Sequence, residues 1–184
     1  LESALDPQRK SLEIYRHLFG NEDPNTLRSS NALGVLLTSK GQYDEAEFLL
    51  RKTMNVRLRL LKHEHPEVLD SKYSLGSLFW KQGLNDEAET LLREVMEARR
   101  RVLGNERPDT LASISRLATL LMPQKRYKEA ETLLNEVLSA QRRTLGDEHP
   151  DTLVTICVLG DLNGHLGNRQ VAESLMREAL GVQR

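Results

Sequence analysis

Four prolines, Pro24, Pro66, Pro108 and Pro150, stand 42 residues apart, and this interval constrains the fold more than any other feature of the 184-residue sequence. The same interval joins Glu22/Glu64/Glu106/Glu148, Leu27/Leu69/Leu111/Leu153, Leu33/Leu75/Leu117/Leu159 and Leu36/Leu78/Leu120/Leu162. It also joins Ala46/Ala88/Ala130/Ala172, Glu47/Glu89/Glu131/Glu173 and Leu49/Leu91/Leu133/Leu175. Chance does not supply eight fourfold-identical columns. A fixed period of this length marks a stacked array in which each repeat is one supersecondary unit and neighbours bury its apolar faces. The repeats are cut at 20–61, 62–103, 104–145 and 146–184, with 1–19 as a half repeat.

Each repeat reads as two helices. Helix A opens at the proline, which suits a first helical position because the missing N–H would have no partner there. Asn25, Glu67, Asp109 and Asp151 follow it, and the three acids suit the helix dipole. Leu27, Leu33, Leu36 and Leu37 give helix A of the first repeat its buried stripe. Gly41, Gly83 and Gly167 stop the helix. Helix B begins with acids (Asp44-Glu45, Asp86-Glu87) and ends with bases (Arg57, Arg59; Arg99 to Arg101; Arg142, Arg143), again matching the dipole. Gly34, Gly76, Ala118 and Gly160 on helix A, and Ala46, Ala88, Ala130 and Ala172 on helix B, keep the crossing of the pair close. The chain is therefore expected to be an all-α solenoid.

Two places depart from the pattern. Lys125 replaces the stop glycine of the third repeat and Pro123 precedes it, so helix A should end early there and Lys125 should take a left-handed conformation at a cost of about 1 kcal/mol. In the half repeat Pro7 falls where Leu49 would stand, and Asp6-Pro7 reads as a cap and first helical residue of a shortened helix B.

Composition agrees with a thin two-layer array. Aromatic residues make up only 4% of the chain, hydrophobic ones 39% and charged ones 29%. The net charge of −1 gives no global attraction to nucleic acid or membrane. The one cysteine, Cys157, rules out an internal disulfide framework and fits a reducing, cytoplasmic setting. There is no glycosylation sequon, signal peptide or apolar run of membrane-spanning length. The first residue is Leu, and no polar capping helix follows the last helix B, so the native protein is expected to continue beyond Arg184 and the fragment to associate through its ends.

The stretch GDEHPDTL from Gly146 to Leu153, followed by Leu159-Gly160 and the helix carrying Ala172-Glu173, resembles the 42-residue tetratricopeptide repeat (TPR) of kinesin light chains. The same long repeat occurs in the sensor regions of NLR-like signalling ATPases. The small–large pattern of Leu33, Gly34, Ala46 and Leu50 belongs to this fold. The resemblance covers 20–184 and, more weakly, 1–19. It implies an α-solenoid wound as a right-handed superhelix, with A helices inside and B helices outside, that binds peptides or protein segments in a concave groove lined by the A helices. Kinesin light chains carry an asparagine just before the Leu-small pair, and it grips peptide backbone. Here that column reads Ala32, Ser74, Arg116 and Val158, so the ladder is missing; the preceding column reads Asn31, Tyr73, Ser115 and Cys157.

Helical-wheel projection gives the candidate groove: Asn31, Val35 and Thr38 in the first repeat, and Tyr73, Ser77 and Trp80 in the second. Ser115, Thr119 and Met122 follow in the third, with Arg116 at the rim, and Cys157, Asp161 and His165 in the fourth. Trp80 reads either as a groove hot spot or as packing against a neighbouring A helix. Arg116 beside Trp80 would hold a partner carboxylate while an apolar side chain rests on the indole.

Other chemistry is weak. His63 and His65 make a metal pair only if further ligands close the site, and none is suitably spaced. Cys157 has no nearby histidine in sequence. Gly160, Gly164 and Gly167 match neither a dinucleotide fingerprint nor a P-loop. The arginines ending the B helices would line one edge, but without interleaved aromatics they do not suggest nucleic acid. The reading is of a non-enzymatic module with no cofactor, no metal and a protein or peptide partner. The alternative is an architectural or self-association spacer using end-to-end stacking.

Overall fold

The computed structural model describes residues 5–181. Among these residues the chain forms helices without strands: α1 (Leu5–Phe19), α2 (Pro24–Ser39), α3 (Tyr43–Leu60), α4 (Pro66–Gln82), α5 (Asn85–Leu103), α6 (Pro108–Leu121), α7 (Tyr127–Thr144), α8 (Pro150–His165) and α9 (Arg169–Gly181). The chain divides into two compact units, 1–99 and 100–184.

All four A helices, α2, α4, α6 and α8, start at the recurring proline. The residue before it is extended and forms the N-cap. Asp23 accepts from the amides of Asn25 and Thr26. His65 and His149 do the same work with Nδ1, accepting from Glu67 at 3.3 Å and from Asp151 at 3.2 Å. The two histidines in the turns thus cap the starts of α4 and α8.

In the first unit α2 packs on α1, α3 and α4, and α3 also packs on α4. The glycines at the crossings set the spacing. A Cβ on Gly34 would lie 2.7 Å from both Cγ and Cδ2 of Leu50, and one on Gly76 would lie 3.1 Å from Cγ of Leu92. Leu33, Leu37, Ala46 and Leu50 are buried around the first crossing, as are Leu75, Leu78, Ala88 and Leu92 around the second. Burying each leucine is worth roughly 1.5–3 kcal/mol.

In the second unit α6 packs on α7, α7 on α8 and α8 on α9. Pro123 has the expected effect: α6 has 14 residues, whereas α2 has 16 and α4 has 17. Lys125 takes the left-handed conformation with φ 61°, as the glycines do at the corresponding turns. Asn163 occupies the column that holds Leu37, Phe79 and Leu121 elsewhere. It is buried, donates to the Leu159 carbonyl and accepts from Asn168.

The reading of Asp6 as a cap needs correction. Leu5 and Asp6 are already helical, so Asp6 lies in the first turn of α1 rather than outside it. Pro7 is tolerated there because the first four amides of a helix have no intrahelical partner.

Candidate protein-binding surface

In the first unit the open face of α2 is the stripe Arg28, Ala32, Val35 and Ser39, all exposed. Val35 stands in the middle of it. Asn31 and Thr38 flank the stripe and are half-buried. Asn31 donates through Nδ2 to Oγ of Ser74 on α4 at 3.1 Å, so it joins two adjacent A helices. Thr38 turns its hydroxyl back onto the Gly34 carbonyl.

On α4 the three candidates differ. Trp80 is half-buried, with Nζ of Lys81 4.7 Å from its ring centroid. Ser77 is half-buried and its hydroxyl has no hydrogen-bond partner. Tyr73 packs against Leu69, Val95 and Ala98, and the Arg99 guanidinium carbon lies 5.0 Å from its ring centroid. Its ring is therefore engaged within the α4–α5 pair.

In the second unit Ser115, Arg116, Thr119 and Met122 are half-buried on and just after α6. Thr119 donates to the Ser115 carbonyl at 2.8 Å. Cys157, Asp161 and His165 are exposed along α8. The His165 ring stacks on Tyr127 with centroids 5.4 Å apart and planes 4° from parallel, and its Nε2 lies 3.9 Å from Oδ2 of Asp161. Tyr127, Asp161 and His165 form one small polar-aromatic cluster. Val154 extends the same face and is 61% exposed. Wheel projection missed Arg28 and Ala32 because it started one position around α2, and it missed Val154 because it started one turn late on α8.

Two of the arginines that end the B helices, Arg57 and Arg99, are buried rather than standing at an edge, while Arg59, Arg101, Arg142 and Arg143 are exposed. Arg57 is only 3% exposed. Its Nη1 donates to the Glu67 carbonyl at 2.9 Å and to Oγ of Ser71 at 2.8 Å. Burial lowers the Arg57 pKa from its ordinary value, while the charges of Glu67 and Asp70 work against that shift. The group remains a cation. Arg99 is 4% exposed and reaches Oδ1 of Asp70 at 2.5 Å. Arg59 pairs with Glu22, and two repeats along Arg143 pairs with Glu106 at the equivalent positions. Arg100 meets Glu136, and 42 residues later Arg142 meets Glu178. The identical column of Glu22 and Glu106 is thus explained by partners for the B-helix ends. Exposed pairs of this kind contribute about 0–1 kcal/mol each.

Among the described residues no cluster of three or more His, Cys, Asp or Glu is arranged to hold a metal, and no helix is long and apolar enough to cross a membrane. His63 is exposed.

Comparison with known proteins places this architecture. The tetratricopeptide repeat model matches residues 1–59, 33–101, 67–121 and 110–184. No curated protein sequence gives a significant match. Among solved structures, the kinesin light chain-like, nearly identical TPR-like repeats of Podosopora anserina are similar. One crystal structure of those repeats, of a singly substituted form, has 30% identity, a TM-score of 0.78, and coverage of 98% of this chain and 85% of that one. A second has 29% identity, a TM-score of 0.76 and the same coverage. BtubC (BKLC) from P. vanneervenii shares the fold at 20% identity, with a TM-score of 0.83 over 98% of this chain and 74% of that one. Matched along its length by the repeat model and built of paired helices throughout its described residues, the chain belongs to the tetratricopeptide repeat family and is an all-α solenoid of the kinesin light chain-like type.

Proposed function

We propose that this chain is a non-catalytic protein-interaction module, part of a larger cytoplasmic scaffold, adaptor or signalling protein, that binds a peptide or protein segment along its A helices. The repeats are read as 20–61, 62–103, 104–145 and 146–184, preceded by a half repeat. The observation that carries the proposal is the contrast between columns. Buried A-helix columns repeat almost unchanged, as in Leu33/Leu75/Leu117/Leu159, while the outward column Val35/Ser77/Thr119/Asp161 changes chemistry at every step. A spacer has no need of that variety. Trp80 in the first unit and Arg116 in the second are the side chains best suited to anchor a partner, since Trp and Arg are enriched among hot spots.

The test is capture of a partner by the 184-residue chain, followed by peptide mapping. Trp80→Ala is expected to weaken binding by roughly 2 kcal/mol, and Arg116→Glu further, with helical circular dichroism unchanged. Wild-type binding by both folded variants would move the site elsewhere.

A second reading, end-to-end self-association, is supported by apolar side chains exposed on both terminal helices. Ile14, Leu18 and Phe19 are exposed on α1, and Val171, Met176 and Leu180 on α9. Sedimentation that remains monomeric at high concentration would remove it.

A further inference from the structure

The second unit contains an open pocket of about 440 Å3, within the size range of ligand sites. Its position in the repeat explains its origin. Arg57 and Arg99 fall in one column whose next member is Gln141. In the first unit that column fills its slot from within: the Arg57 guanidinium lies between α3 and the start of α4 and donates to the Glu67 carbonyl and the Ser71 hydroxyl. The corresponding acceptors in the second unit are Asp151 and Thr155, and both line the pocket with Gln141. Two further columns shrink at the same place. Where the first repeat has Arg28 and Asn31, the pocket wall has Ala112 and Ser115.

The polar groups left behind include a buried acceptor. Gln141 is 8% exposed, and its Oε1 is buried with no hydrogen-bond partner, an arrangement that favours an incoming donor. The Thr155 hydroxyl turns back to the Asp151 carbonyl at 3.0 Å. Glu106 and Asp151 are among the lining residues, and among the described residues no Lys or Arg is. Glu106 also holds Arg143 at 2.6 Å, and His149 Nδ1 is occupied by the Asp151 amide. Leu111 and Val154 supply apolar wall for an aliphatic stem.

We propose that this pocket is an arginine socket: it receives the guanidinium of an arginine from a bound partner segment, in the place that Arg57 fills in the first unit. The proposal rests on the reading that the chain binds a partner segment, and it assigns one residue of that segment. A guanidinium fits better than an ammonium because it is flat, carries five donors in a fixed fork and suits several acceptors set around a slot.

The test is a chemical-shift titration of the 184-residue chain with N-acetyl-arginine amide, and with the corresponding lysine and citrulline compounds. The arginine compound is expected to give saturable shifts at Ser115, Thr155 and the Gln141 side-chain amide, with at least ~10-fold weaker binding of the other two. Gln141→Arg, which supplies the cation internally, is expected to lose at least ~10-fold in affinity for the probe without loss of helical signal. If that variant does not fold, Ser115→Tyr fills the pocket with the side chain that its column carries at Tyr73 and is expected to lose the shifts in the same way. Absence of saturable shifts, equal binding of citrulline, or an unchanged response in a folded filled-pocket variant would overturn the socket. None of these results affects capture of a partner through Trp80 or Arg116, so the two readings fail separately.

Discussion

Helix pairs cross on a glycine at Gly34 in the first unit and at Gly160 in the second, but these two crossings are not equally tight. At Gly34 the facing side chain is Leu50, fully buried and branched close to its backbone, with two of its carbons 2.7 Å from where a Cβ would stand. At Gly160 the facing side chain is Met176, whose terminal Cε comes within 2.9 Å but which is 36% exposed and can swing away. The same contrast runs through other columns. Arg57 fills its slot and Gln141 does not. Gly41 and Gly83 turn the chain without strain, whereas Lys125 turns it with a side chain attached. Leu37 and Phe79 fill a core position that Asn163 occupies with hydrogen bonds. The repeat therefore fixes where each residue sits, while the closeness of fit varies from repeat to repeat.

This comparison can be tested at its tightest point first. Gly34→Ala should cost about 2–3 kcal/mol by overpacking, and Gly160→Ala less than about 1, both read from urea and thermal melts. Equal costs would mean that the flexibility of the facing side chain does not distinguish the two crossings. Arg57→Gln, which gives the first unit the residue of the second, should cost about 2 kcal/mol through lost charge-assisted hydrogen bonds. A neutral result would show that the filled slot does not contribute to stability. Lys125→Gly should stabilise by about 1 kcal/mol because glycine takes a positive φ without a Cβ penalty.

The smallest effect depends on pH. The hydrogen bond from Arg51 holds the Glu47 pKa below the usual carboxylate range, helped by one from Gln82 and opposed by burial. A lowered folded-state pKa stabilises the protein above the ordinary carboxylate value, and that contribution is lost as the pH falls through the lowered one. Glu47→Gln should therefore lower Tm at neutral pH and converge with the parent in acid. Parallel curves would remove Glu47 from the account.

Much of the fold could be read from the sequence because the period is itself a physical constraint. The proline starts, the glycine crossings, the shortened α6 and the left-handed Lys125 all follow from backbone sterics at known columns. Side-chain partners were harder to read. Arg57 and Arg99 look like surface charge in a sequence, since nothing local says that another helix will cover them. The Tyr73 ring goes to Val95 and Ala98 on the next helix, a choice made by packing rather than by its place on a wheel. His65 and His149 cap helices through an acceptor nitrogen that residue type alone does not announce. The candidate groove was legible as a set of varied columns. Which members stand open was not, because a wheel starting one residue away selects Asn31 in place of Ala32.

The turn at Lys125 carries a consequence for how the chain is cut. The residue is exposed and conformationally strained, so local opening there releases about 1 kcal/mol that the equivalent glycine turns do not hold. That raises the open population at this turn roughly fivefold over theirs. When opening is fast, a protease samples the open population rather than the mean structure. Trypsin, which cleaves after lysine, should make its first internal cut after Lys125, separating α6 from α7.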